Sequence, residues 1–370
     1  MVELNVFNID TFERLGIVDE YQVAEFTTNY RKHSELDLIV DATDQNIDWF
    51  ISKNDDIFLT VGKGVVRGYI IETVKYADEK KTTIDVYCKS LSTMLSWRQI
   101  IGQQTYRGNA EFVIRSFVDA NAINPSNANR KIPNLVFGDL SGVGGDIEES
   151  YANKDLDDAM WEICVKQDIA YEIYADISNK RFIFVVWQGT DRTTEQTDRD
   201  AVIFAKEFDN ILTQNYTDDK SDYKNVAFVV GESDDAGNQK QLIVNDEIKG
   251  RQRREMFVDA SGISSKNEDE TVMSSTEYES LLVEQAKTEI AENHRVQSFE
   301  TDVDYNTQFV YKEHYFMGDK VTIRNDEIGI AMHTRVVTAK EKYDKSGYSL
   351  GTEFGSNVPT LLSKLKKAVK

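Results

Sequence analysis

The sequence predicts a β-rich α+β chain built from several domains. Runs with strand periodicity fill both ends, helical periodicity is confined to the middle, and turn signals recur at short intervals. At 370 residues the chain exceeds what one core usually holds, about 250–300 residues, so two to four units are expected. Forty per cent hydrophobic residues, with Phe 18 and Tyr 17, suffice for packed cores.

Residues 1–103 form the first expected β domain. LNVFNI, YQVAEFTTNY, LDLIVDAT, DIFLTV, GYIIETVKY and TTIDVYCKSL are β-branched or alternating runs, parted by turns such as GIVDE, VGKG and ADEKK. SLSTMLSWRQI reads as the start of a loop or short helix. Residues 104–200 are expected to be an α/β domain. Asn109 is placed to cap a helix with Val113, Ile114, Phe117 and Val118 on one face. A second helix runs from about Asp155 to Gln167, acidic in its first turn, with Leu156, Ala159, Met160 and Ile163 inward. The hairpin AYEIYAD/RFIFVVWQ follows, and the polar run 189–200 reads as a linker.

Residues 201–245 return to β periodicity, with NVAFVVGE and KQLIVND around the turn SDDAGN. Together with 308–358 they are expected to form a second β domain. Residues 246–307 then make a helix-containing insert. Its strand lies in GRQRREMFVDASG. Its helix opens on a capping box of Thr276 and Glu279, with Tyr278, Leu281, Leu282, Ala286 and Ile290 on one face. Pro359 suits the first turn of a short basic helix, 359–370.

The two β regions carry the same pattern. Asp56 and Asp319 each precede a strand; a glycine-bearing turn follows, at Gly62 and Gly64 or at Gly329; a longer strand then reaches a Lys-containing turn. An internal repeat is therefore expected.

Chemistry is sparse. His33, His294, His314 and His333 include no pair at a helical ligand spacing and no HExxH. His314 and His333 are placed to face each other across the last hairpin, but two ordinary strand histidines are the plainer reading. GVGGD, 142–146, lacks the Lys-Ser/Thr of a phosphate loop and reads as a flexible loop. Cys88 and Cys164 sit in apolar runs and read as buried thiols. Carboxylate pairs such as Asp157/Asp158 and Asp302/Asp304 are what 64 acidic residues produce by chance. RQRR, 251–254, offers a protease site or an anion contact; pairing with acidic neighbours is the blander reading. No enzyme, metal or cofactor is expected.

The net charge of −21 argues against a protein that grips nucleic acid. The N-terminus lacks the basic and apolar regions of a signal peptide, and no apolar run reaches the ~20 residues of a membrane helix. A soluble protein made in a cytoplasm is expected.

Several stretches, in order, resemble one family. LGIVDEYQVAEFTTNYRKHSELDL, YRGNAEFVIRSFVDANAINP, YKNVAFVVGE with GRQRREMFVDAS, and YFMGDKVTI are similar to segments of siphophage tail-tip baseplate hub proteins, the N-terminal part of tail-associated lysins. The resemblance spans about 10–355. It implies two tail-tube-like β-barrel domains with two α/β insert or decoration domains, and a homotrimer that supplies six barrels to continue and close the tail tube. It implies a place at the virion tail tip after assembly in the host cytoplasm. The implied partners are the distal-tail ring or tube, receptor-binding proteins and the tape-measure C-terminus. DNA would pass without specific binding. On that reading Asp56, Arg253, Arg254, Glu255, Asp319, Arg324 and the turn 324–328 are candidate ring or lumen surface, and loops 138–150 and 262–275 are candidate movers in opening. Only a short helix follows Gly355, so a hydrolase domain is not expected; a cell-wall hydrolase and a carbohydrate- or receptor-binding tail protein are the alternatives.

Overall fold

The structure, a computed structural model, describes residues 2–31, 33–78, 82–234, 237–266, 271–303 and 307–355. The basic helix expected at 359–370 lies outside them. The chain packs as two units: residues 2–215 with 299–355, and residues 216–298.

The first unit opens with β1 (Leu4–Asn8), β2 (Arg14–Val18), β3 (Val23–Asn29), β4 (Glu35–Asp41), β5 (Ile57–Val61), β6 (Val65–Ala77) and β7 (Thr83–Ser90). Their alternation has one face to bury: Leu36, Leu38 and Val40 of β4 and Ile84, Val86 and Cys88 of β7 are nearly inaccessible. β3 and β4 form a hairpin, β4 pairs with β7, and β7, β6, β5 and β1 follow as antiparallel neighbours. Gly62 (φ 86°) and Gly64 (φ 89°) supply the left-handed backbone of the β5–β6 turn.

β8 (Gln99–Asn109) follows a short 3-10 segment, Leu91–Trp97. It pairs along its length with β10 (Asp146–Asp155), after the short β9 (Leu135–Phe137). This ribbon is not foreshadowed by the sequence, and the domain boundary expected at 103/104 falls inside β8. Between the strands, α1 (Ala110–Val118) is capped by Asn109 and buries Val113, Ile114, Phe117 and Val118, as expected. α2 (Leu156–Gln167) is capped by Asp155, whose side chain accepts from the Asp157 and Asp158 amides. β11 (Ala170–Asp176) and β12 (Arg181–Trp187) form the expected hairpin, and β11 continues the sheet onto β6.

Residues 189–200 are no linker. Lys320 donates to the Thr190 carbonyl and Arg192 to that of Lys320, so the run lies along the chain at 318–322. The approach is so close that a Cβ on Gly189 would stand 2.0 Å from the Gly318 backbone.

β13 (Ile203–Phe204) and β14 (Ile211–Asp219) follow. The second unit comprises β15 (Val226–Ser233), β16 (Gln239–Val244), β17 (Glu255–Ala260) and α3 (Ser275–Glu292). β15 is central, antiparallel to β16 and parallel to β17, and the hairpin expected in the second β domain therefore belongs with the helix. Tyr278, Leu282 and Ala286 of α3 pack on Ala227, Val229 and Val258, while Leu281 is only half-buried. The capping box is Ser274 with Glu277, two residues before the expected Thr276 and Glu279.

The chain re-enters the first unit within β18 (Val296–Val303) and finishes with β19 (Lys320–Asn325), β20 (Ile330–Asp344) and β21 (Gly347–Gly355). The turn between β19 and β20 is 326–329, not 324–328. The sheet runs β14–β18–β21–β20–β3–β4–β7–β6–β11–β12–β9, with β19 on β20 and β5 on β6. Each half thus repeats one plan: a two-strand ladder (β3–β4 or β14–β18), then a short strand, a glycine turn, a long strand and a return strand. The long strands even carry a pairing irregularity at corresponding places, between Ile71 and Thr73 and between Val336 and Thr338.

Gly189→Ala should lower unfolding stability by at least about 2 kcal/mol, because backbone rather than a pliable side chain must move. Gly351→Ala, whose Cβ would meet neighbours at 3.9 Å or more, should stay within about 0.5 kcal/mol. Denaturant titration of both variants checks the contrast.

Candidate functional site

An ionic node built around the buried Arg335 joins the parts of the first unit. Arg335 on β20 is 6% exposed. Its Nε and Nη2 donate to the two carboxylate oxygens of Asp168 at 2.8 and 2.6 Å, and its Nη1 to the carbonyls of Gly189 and Gly318. Asp168 ends α2 in the left-handed conformation (φ 55°). Arg31 and Lys320 also pair with it, and Tyr30 donates to its carbonyl at 3.0 Å. The Arg335 guanidinium lies 5.2 Å from the Tyr30 ring centre, and Trp187 meets the same ring edge-on. Partial burial pushes the Asp168 carboxyl up, but Arg335, Arg31 and Lys320 outweigh this and hold it below the usual carboxylate range.

Asp319 belongs to this node and not to a ring or lumen surface. It is 2% exposed and accepts from the Thr190 and Phe316 amides and from Arg192 Nε at 2.7, 3.0 and 2.8 Å. Its sequence signal, an aspartate before a strand, marks a buried tie. Asp56 is exposed, and its carbonyl accepts from the Ile9 amide. Arg324 stacks on Phe208 at 5.1 Å and stands 3.9 Å from Glu207 and 3.7 Å from Asp326. Arg253 pairs with Glu255 at 2.6 Å and Asp246 at 3.0 Å, which is the blander reading of RQRR. Arg254 lies 5.9 Å over Tyr223. Of the six candidates, Arg253 and Glu255 are the pair brought together.

The histidines do not form a pair. His333 stands opposite Thr322 and meets its hydroxyl at 3.0 Å, while His314 accepts from the Val310 amide. His33 meets Asp157 at 2.9 Å, and Tyr171 donates to the same carboxylate. No cluster suited to a metal ion occurs among the described residues. Both cysteines are free and buried, with thiol pKa values raised by burial.

The expected mover 138–150, which includes the loop 142–146 expected to be flexible, is held along 138–145. Buried Glu111 accepts from the Ser141 and Gly142 amides. Arg115, itself paired with Glu111, donates to the Gly138 and Asp139 carbonyls. Asn109 donates to Gly144, and Gly145 to Gln167. Residues 146–150 are strand. The other expected mover, 262–275, lies partly outside the described residues.

The face of the β20–β3–β4–β7–β6 sheet opposite its core carries mixed charge. Lys342 faces Glu25, which faces Asp37, which faces Tyr87. Lys75 faces Asp85, and Lys89 faces Glu35. Partial burial, then Glu35 and Glu25, raises the pKa of Asp37, so the acids here crowd one another.

Two substitutions test these contacts. Asp168→Asn should cost about 1–2 kcal/mol near pH 7, because Arg335 is left buried without its countercharge while solvent at the part-exposed carboxylate screens the pair. A depressed folded pKa stabilises above the unfolded value of about 3.9 and stops doing so as pH falls through the folded pKa. The gap between wild type and variant should therefore hold from pH 7 to about 5 and narrow below about 4. Glu111→Gln should raise amide exchange at Ser141 and Gly142 at least about tenfold, the counterpart of ~1.4 kcal/mol, in a hydrogen-exchange time course.

Residues 3–356 match the family model described as Siphovirus ReqiPepy6 Gp37-like protein. No curated protein matches. Three solved structures are similar across nearly the whole of both chains. A 43 kDa tail protein of prophage MuSo2 from Shewanella oneidensis aligns with TM-score 0.57 and 10% identity, covering 95% of this chain and 98% of that one. A tail protein from Neisseria meningitidis MC58 aligns at 0.55 and 10%, covering 96% and 97%. Prophage tail protein gp18 from Listeria monocytogenes EGD-e aligns at 0.54 and 12%, covering 100% and 98%. At such identities the likeness establishes the fold alone, while the family match spans most of the sequence: the chain belongs to the siphovirus ReqiPepy6 Gp37-like family, with the fold of phage tail proteins.

Proposed function

We propose that the chain is a non-enzymatic structural protein of a phage tail tip, a hub in which three copies form a ring that continues and closes the tail tube. The observation that carries this is the internal repeat. Two halves of one plan lie side by side in a single sheet, joined by antiparallel pairing of β20 with β3. Three such chains present six like units, the number that matches a six-fold tube.

The charged sheet face supports a lumen role. Duplex DNA binds where cations replace its condensed counterions. Among the described residues, the lysines of the face stand beside carboxylates: Lys342 by Glu25, Lys75 by Asp85, Lys89 by Glu35, and Lys340 within the field of Asp37. Such a face offers phosphate no cationic track, so DNA passes without being held. The ring would join the distal-tail ring or tube on one side and the receptor-binding apparatus on the other, with the tape-measure C-terminus a further partner. Opening must come from elements other than 138–145, which is clamped.

The direct test is solution mass. Light scattering should give three times the chain mass of 42.3 kDa, and a monomer at the highest attainable concentration would refute the ring.

A further inference from the structure

Within the chain, one joint between repeats is made and its counterpart is left open. The far half of β20, Thr338–Asp344, pairs with β3. The corresponding half of β6, beyond its contacts with β5 and β11, pairs on one side only, with β7. The counterpart of β3 is β14, which among the described residues ends the sheet beside β18.

Exposure follows pairing. In β3, covered by β20, Ala24, Phe26, Thr27, Thr28 and Asn29 are all buried. In β14 only Ile211 is buried, and Glu72, Thr73, Lys75 and Tyr76 of β6 are exposed. Two open edges of opposite kind on one molecule are what a head-to-tail ring requires, since each chain must offer what the next accepts.

We infer that β6 of one chain pairs antiparallel with β14 of the next and reproduces the β20·β3 joint, an inference that rests on the ring reading. The repeat itself sets the register. Lys75 and Lys340 each lie two residues past the end of the irregularity in their long strand. In the first repeat a row runs Lys75, Asp85, Ile39, Val23 across the sheet. In the second, Lys340 faces Gly351, which lies beside Asp302, whose carboxylate accepts from Thr213 at 2.6 Å. Taking that short contact as the counterpart of the Val23–Ile39 pair places Thr213 where Val23 stands. Lys340 faces Thr27, four residues past Val23, so Lys75 must face Thr217, four past Thr213.

The residue types agree. Lys340·Thr27 becomes Lys75·Thr217, and Thr338·Asn29 becomes Thr73·Asp219. The copied joint keeps a lysine against a threonine and a threonine against an asparagine-like side chain.

The test is cross-linking of the full-length K75C/T217C variant, by mild oxidation and in parallel by a short bis-maleimide. The native thiols are buried and do not interfere. Opposed residues of an antiparallel pair lie about 4.5–5.5 Å apart at Cα, within disulfide reach. Covalent trimer should become the main species on a denaturing gel. Either single variant, and K75C/T213C, displaced by about 13 Å along the strand, should stay monomeric. If the variant is trimeric by solution mass but links by neither reagent, the joint is wrong while the ring stands. If K75C/T213C links instead, the register is wrong. A monomer in solution overturns ring and joint together.

Discussion

The first unit depends on the burial of one cation. A guanidinium taken out of water is costly unless each donor is met, and Arg335 is met by Asp168 from the α/β part, by carbonyls at Gly189 and Gly318, and by the face of Tyr30 from the first repeat. Replacing the pair by apolar groups can be neutral elsewhere, but here its geometry ties four segments of chain, at Tyr30, Asp168, Gly189 and Gly318, to β20. Gly189 and Gly318 stand where backbone must approach backbone, and Asp319 pins the same stretch through Arg192 and two amides. With that node in place, the two repeats have a fixed relation and the β20·β3 joint a fixed geometry.

The joint then explains the distribution of polar residues. Thr27, Thr28 and Asn29 are buried because a strand lies against them, and among the described residues the exposed matching stretches of β6 and β14 have no such neighbour. Backbone hydrogen bonds along an open edge are a strong and general means of association, and natural folds seldom leave such edges uncovered. Charge has a separate part: lysines set beside carboxylates on the sheet face leave it without grip on a polyanion.

Much of this was legible in the sequence. The repeat was visible through an aspartate, a glycine turn and a long strand in each half, and both helices of the α/β part through their caps and apolar faces. The β8–β10 ribbon was not, because its inward positions mix Gln104, Gly108 and Glu149 with Tyr106, Ile147 and Tyr151, so the hydropathy does not alternate as the burial does. The run 189–200 looks like a linker because its order comes from a partner 129 residues on, which local composition cannot encode. The capping frame slipped by two because SSTEYE offers both Ser274 with Glu277 and Thr276 with Glu279; the packing of Tyr278, whose hydroxyl bonds the Glu232 amide and the Ile263 carbonyl, accompanies the first. The candidate sites fared as isolated signals do: Arg253 and Glu255 met each other, and Asp319 was a buried tie.

The central claim is that the two halves of the chain act as two like units of one ring. Electron cryomicroscopy of the purified assembly measures this directly. The account predicts three chains around a three-fold axis, with sheet continuous through six quasi-equivalent joints and the mixed-charge face turned to the channel. A dimer, an open filament, or a ring whose β6 and β14 edges face solvent would contradict it.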